Sequence, residues 1–292
     1  MADRVVEAGG VELCMEPFGD PSEPAILLVQ GLGASMAWWE EGFCRVLAGA
    51  GRFVIRYDHR DTGRSVTYEP GRPGYTTGTL VRDAVGVIDA YGVEAVHLVG
   101  VSAGAGMAQV VALEHPDRVR SLVLISSSPA VPTGRELPPP TEAFSRFFST
   151  ASVDWDDPTS VVEYVVAYAR MLAGGERPFD EPAMRELVRR EVERARAFAA
   201  RRNHELLADD DNSHLRLASI SSPTLVIHGS ADPMFPVEHG QALAEEIPGA
   251  TLLTLEGAGH GIERADWETI AAAIIEHTGA ADQPEVNPAT PV

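Results

Sequence analysis

The stretch "HLVGVSAGAGMAQVV", residues 97–111, runs from an apolar segment through three glycines and one serine into a second apolar segment. Its middle, "GVSAG" at 100–104, matches G-x-S-x-G, a tight strand-to-helix turn that holds a serine exposed above the carboxyl end of a strand. Glycines two residues either side are required where side chains would collide, and the serine itself takes a strained backbone conformation. A five-residue pattern arises by chance, so its context matters. An apolar strand precedes Ser102 and a small-residue helix start, Ala103 to Ala108, follows it, whereas the G-x-G-x-x-G order of a nucleotide-binding turn is absent.

Outward from this turn, short β-rich runs alternate with helix-like segments, the pattern of a mostly parallel sheet covered by helices. "VELCMEPFG" (11–19), "AILLVQG" (25–31), "RFVIRYD" (52–58), "AVHLVGV" (95–101) and "VRSLVLISS" (119–127) read as strands. Helices are expected over 38–51, 80–92 and 106–116. After the proline-rich "SPAVPTGRELPPP" (128–140), no convincing strand occurs until "PTLVIHG" (223–229), which is followed by a helix near 236–247, the strand "ATLLTLEG" (250–257) and a helix over 265–279. A helical block thus interrupts the sheet between the strand at 119–127 and the strand at 223–229. This predicts a core domain made of 1–130 and 218–279, a helical cap at 131–217, and a disordered, proline-containing tail at 280–292.

Composition narrows the function. The chain has 292 residues and a formal net charge of −20, with 43 acidic residues against 23 basic ones. Nucleic acid is an unfavourable partner for such a surface. Every basic residue is Arg, which excludes a lysine Schiff base and a P-loop lysine. Cys14 and Cys44 have no metal-ligand spacing, so neither a metal site nor a disulfide scaffold is expected. No apolar run is long enough to span a bilayer and the amino terminus lacks the core of a signal peptide, which predicts a soluble cytoplasmic protein with no membrane partner.

A serine hydroxyl needs a base, and the base needs an acid to orient it. "HGSADPMFP" (228–236) supplies Asp232 beyond one strand, and "EGAGHGI" (256–262) supplies His260 beyond the next. Both fall on carboxyl-end loops, in the order that follows a serine in G-x-S-x-G. Amide donors for an oxyanion are expected from Ala103 and from Leu32 in "VQGLGAS" (29–35). His228 and His239, which flank Asp232, are read as packing or surface residues. No cofactor is required, because nucleophile, base and donors are all internal.

Together these residues resemble the α/β-hydrolase superfamily over roughly residues 10–278. The resemblance implies an eight-stranded, mostly parallel sheet flanked by helices, with a helical cap inserted after the sixth strand. "RYDHRDTGRS" (56–65) is similar to the D-x-R-G-x-G-x-S turn of many members, with Asp61 in place of the usual glycine, and Gln30-Gly31 stands where many relatives have His-Gly. At this turn His59, Arg60 and Asp61 are read as a structural polar network. Within the superfamily the wording is most similar to the aclacinomycin methylesterase type, which cleaves a methyl ester on an anthracycline polyketide and belongs to secondary metabolism. Haloalkane dehalogenase and epoxide hydrolase activities are disfavoured, because those enzymes have aspartate where Ser102 stands.

The expected activity is hydrolysis of a small-molecule carboxylic ester through Ser102, His260 and Asp232. The same machinery supports a thioesterase, perhydrolase, aminopeptidase or cyclase, and a slow-turnover ligand receptor, so these stay open at the level of sequence, as does the oligomeric state. Phe144, Phe147, Phe148, Trp155, Tyr164, Tyr168 and Met171 offer the cap an aromatic-rich surface, either as a pocket wall or as the packing that holds the cap on. Trp38 and Trp39 share that ambiguity.

Overall fold

A computed structural model of the protein describes residues 3–283. Its eight strands are β1 (Arg4–Ala8), β2 (Val11–Phe18), β3 (Ala25–Val29), β4 (Phe53–Tyr57), β5 (Val96–Val101), β6 (Val119–Ile125), β7 (Thr224–Gly229) and β8 (Thr251–Leu255). They form one sheet in the order β1-β2-β4-β3-β5-β6-β7-β8. β1 and β2 pair antiparallel, as do β2 and β4, and all other neighbours are parallel. β1 escapes the apolar-run reading because it is an edge strand with only Ala8 buried, closed onto β2 by Gly9-Gly10.

The central strands β3, β4 and β5 are buried along their whole length, which explains their continuous apolar runs. Helices cover both faces. On one side α1 (Glu41–Gly49) and α8 (Trp267–Ala281) bury Phe43, Leu47, Ile270 and Ile274 against Leu28, Val99 and Ile125. On the other, α2 (Thr77–Ala90), α3 (Ala103–Glu114) and α7 (Glu238–Glu246) pack Leu80, Val111 and Leu243 against Leu27, Leu98 and Leu122. Each such side chain, fully buried, contributes roughly 1.5–3 kcal/mol. α3 is sealed on nearly all sides, which matches its Ala/Gly/Val composition.

Between β6 and β7 lie α4 (Glu142–Thr150), α5 (Pro158–Leu172) and α6 (Glu181–Arg194), followed by a 3-10 stretch at Phe198–Leu206. From β3 the chain leaves toward β4, whereas from β5 it leaves toward β6. Loops diverging from adjacent parallel strands open a crevice at their carboxyl ends. The expected disorder from residue 280 is corrected in part: α8 runs to Ala281, and Asp282 pairs with Arg52 and accepts from His97. Residues 284–292 lie outside the described residues. No helix among the described residues is long and apolar enough to cross a membrane.

Candidate active site

Ser102 sits between the last residue of β5 and the first of α3, with φ 56° and ψ −128°. A left-handed conformation in a residue with a Cβ costs of order 1–3 kcal/mol and persists only where the surroundings over-determine it. Here they do. The Ser102 amide donates to the Ile125 carbonyl at 2.9 Å, while the Ser102 carbonyl accepts from the amides of Ala105 (3.0 Å) and Gly106 (3.2 Å) and from Ser127 Oγ (2.9 Å). A Cβ on Gly100 would lie 2.5 Å from the Gly104 carbonyl oxygen, and one on Gly104 would overlap the Val29 and Gln30 carbonyls. Both glycines of the motif are therefore required by close backbone approach.

Asp232 and His260 follow β7 and β8, and the structure brings them together: His260 Nδ1 lies 2.8 Å from Asp232 Oδ2. The other carboxylate oxygen, Oδ1, accepts from the amides of Met234 and Phe235, both at 2.9 Å. Burial pushes the Asp232 carboxyl up, but the charge and hydrogen bond of His260 and the Phe235 amide outweigh it and hold the group below the usual carboxylate range. An ionised Asp232 fixes the proton on Nδ1, leaving Nε2 as the acceptor. Nε2 is buried without a hydrogen-bond partner among the described residues. His260 and Ser102 line one cavity, yet no hydrogen bond joins them. Such bonds are often long in unliganded enzymes and tighten when substrate binds.

The helical insertion reaches directly into this loop. The His260 amide donates to the Leu172 carbonyl at the end of α5 (2.7 Å), and a Cβ on Gly259 would overlap that same carbonyl. That close approach accounts for Gly259, whereas Gly261, with open space beside it, is required by its φ of 110°. Phe235 packs its ring edge-on to His260 at 5.6 Å between centroids.

Gly31 lies against the serine, with a would-be Cβ only 3.1 Å from Ser102 Cβ. The amides of Leu32 and Ala103 donate to no other described residue. Gln30, in place of the usual histidine, braces the loop with its own side chain, whose Oε1 accepts from the Gly31 amide at 2.7 Å. His59 Nε2 donates to the Gln30 carbonyl (2.8 Å), Arg60 pairs with Asp83, and Asp61, at φ 62°, accepts from Tyr75 Oη, Asn203 Nδ2 and the Tyr68 amide. These three residues form a polar scaffold. His228 donates to the Phe235 carbonyl and His239 contacts Ser128 Oγ and the Pro138 carbonyl, so both are buried packing residues.

Sequence reasoning passed over a group on the helical insertion that holds the serine-side loops. Glu191 of α6 accepts from the Ser35 amide (2.9 Å) and Trp38 Nε1 (2.8 Å). His204 accepts at Nδ1 from the Gly33 amide (2.7 Å) and donates from Nε2 to the Arg60 carbonyl (2.8 Å), its pKa pushed down to about 3 chiefly by burial. A signal for Glu191 did exist. It falls four residues after Leu187 and three after Val188, on the apolar stripe of α6, where a carboxylate requires buried donors.

The cavity encloses about 320 Å³, near the lower end of ligand pockets. Among the cap aromatics singled out from sequence, Tyr168 alone lines it. Phe144, Phe147, Phe148 and Tyr164 stack on Tyr168 or on one another, Trp155 packs on Tyr164 and Phe198, and Met171 stays off the cavity, so of the two roles open from sequence most of these side chains take the packing one. The apolar wall comes instead from Trp38, Leu172, Phe179, Met184 and Leu187. Trp39 is buried against Phe43.

Comparison with known proteins agrees with this architecture. The rhodomycin D methylesterase of Streptomyces sp. (strain C5) is 33% identical over 296 aligned positions, covering 96% of this chain and 99% of that protein. The rhodomycin D methylesterase of Streptomyces peucetius is 32% identical with the same coverage. Among solved structures, an esterase from Rhodococcus sp. ECU1013 superposes with a TM-score of 0.74 at 21% identity, covering 97% of this chain and 99% of that one, a likeness of fold. Residues 24–262 match the family model described as the alpha/beta hydrolase fold, and the chain belongs to that family.

Proposed function

We propose that the protein hydrolyses a carboxylic ester through an acyl-enzyme on Ser102. The observation that carries this reading is the 2.8 Å Asp232–His260 contact, whose free Nε2 belongs to the cavity that Ser102 lines. In the first half-reaction Ser102 Oγ attacks the ester carbonyl carbon as its proton passes to His260 Nε2, and the Leu32 and Ala103 amides hold the oxyanion. Collapse breaks the bond to the alcohol oxygen, which leaves with that proton. Water then attacks the acyl-enzyme, gives its proton to His260, and releases the acid and Ser102. Asp232 keeps the imidazole oriented and stabilises its protonated form.

The preferred substrate in this reading is the methyl ester of a planar aromatic, polyketide-like acid. Support comes from the two methylesterase relatives and from a cavity wall of Trp38, Tyr168 and Phe179. Helices α4–α6 serve as a cap over a core built from the two flanking segments, and set the acyl group accepted. A Ser102→Ala protein is expected to lose at least about 10⁴-fold in kcat on such an ester; retention of most of the activity refutes the mechanism. Kinetics on a planar aromatic methyl ester and on short aliphatic esters test the substrate class, which fails if the aliphatic esters have the higher kcat/KM.

A further inference from the structure

We propose that Arg201 forms a carboxylate-recognising subsite of the cavity, so that the ester accepted carries a free carboxylate on its acyl part. The inference rests on the esterase reading above and names the substrate class within it.

Arg201 stands on the 3-10 stretch after α6 and lines the same cavity as Ser102 and His260. Its Nη1 is buried with no hydrogen-bond partner among the described residues. Arg201 as a whole is half-buried, so the cost falls on this one donor, which loses its hydration without compensation. The second cavity-lining arginine, Arg264, is paired with Glu40, so its charge is already satisfied. Asp180, another acid of the wall, is occupied as the cap of α6, and Glu263, whose carboxyl is pushed up by burial and the charge of Asp266, forms no ion pair with Arg201. Glu205, four residues on, is exposed and forms no ion pair with Arg201. In a chain of net charge −20, an arginine left without a carboxylate beside the candidate nucleophile calls for an anion from outside.

The Phe198 ring holds the guanidinium against the face of Gly33 that lacks a side chain. The guanidinium lies over that ring, 4.9 Å from the centroid, and its Nη2 is 3.3 Å from where a Cβ on Gly33 would stand. Gly31, on the same loop, abuts Ser102. Two Cα steps span at most about 7.6 Å, so the serine and the guanidinium flank one short loop, and an acyl group carrying its carboxylate across one ring probes that span. A planar guanidinium meets a carboxylate with two parallel hydrogen bonds. A phosphate, at nearly two negative charges, fits less well beside Glu40, Glu263 and Asp180 than a monoanion does.

The test compares monomethyl terephthalate with methyl 4-methylbenzoate, in the wild-type protein and in Arg201→Met. The ratio of their kcat/KM values is read within each protein, so it does not depend on the fraction folded. The wild type is expected to favour the carboxylate ester by about ten- to hundredfold through KM, as charged hydrogen bonds of this kind allow. The ratio should fall to near one in Arg201→Met and stay intermediate in Arg201→Lys. A wild-type ratio of one or less, or the same ratio in Arg201→Met, overturns the proposal. Calorimetric binding of terephthalate to Ser102→Ala and to Ser102→Ala/Arg201→Met separates the two readings. If neither ester is hydrolysed but the second variant binds at least tenfold more weakly, the esterase reading falls and the carboxylate subsite stands; equal binding removes the subsite.

Discussion

At the scale of single residues, the site depends on backbone atoms as much as on side chains. Gly104 has the Val29 and Gln30 carbonyls where a Cβ would be, and these belong to rigid chain that cannot rotate away. Gly104→Ala is expected to cost about 1–3 kcal/mol in urea unfolding, the range for forced overpacking, and to lower kcat by displacing Ser102; unchanged stability would refute the close-approach account. Asp232→Asn keeps the geometry but reverses which nitrogen of His260 carries the proton. It should therefore lower kcat by about 10³–10⁴-fold with an unaltered thermal midpoint. Ser102, Asp232 and His260 were legible in the sequence because each stands in a short motif directly after an apolar strand. Arg201 and His204 were not, since "ARRNHEL" has no motif and acquires meaning only when the insertion folds back onto the 30–33 loop.

Among elements, α6 ties the helical insertion to the carboxyl edge of the sheet. Arg194, its last residue, pairs with Asp58 Oδ2 at 2.7 Å, and Asp58 also accepts from the amides of Met36 and Arg64. Asp58 is fully buried. Breaking a buried pair by removing one partner costs about 3–5 kcal/mol, because the remaining charge is uncompensated. Arg194→Met should lower stability by that amount in urea denaturation, and adding Asp58→Asn should recover part of it; additive losses in the double variant would contradict the pairing. The α3 helix and the central strands were readable from burial on all sides, which leaves continuous apolar runs. The role of α6 was hidden, since its partners lie on the loops after β3 and β4, more than a hundred residues away.

The whole molecule responds to acid through histidines that fold neutral. Burial lowers His204 to about 3 and His97 to about 4, each below the ordinary histidine value of 6.5. Below pH 6.5 the unfolded chain takes up protons that the folded chain refuses, so stability is fully present above that pH and falls as the pH drops toward these values. Each group contributes a slope approaching about 1.4 kcal/mol per pH unit. Relief of repulsion in a chain of charge −20 acts in the opposite sense, but it is common to wild type and variant. His204→Gln should therefore flatten the dependence of unfolding free energy on pH between 6.5 and 4.5 by about one proton's slope; an identical slope would mean that His204 charges in the folded state. By itself the sequence determined the strand and helix order of the core from β2 onward, the sharp turn at Ser102 and the candidacy of Asp232 and His260 at neighbouring strand ends, because these depend on local periodicity and on motifs a few residues long. Tertiary structure alone decided which side chains wall the cavity, that most cap aromatics pack on one another, and that Arg201 is left facing the cavity without a partner. Those outcomes depend on how distant segments meet, and no local pattern encodes the meeting.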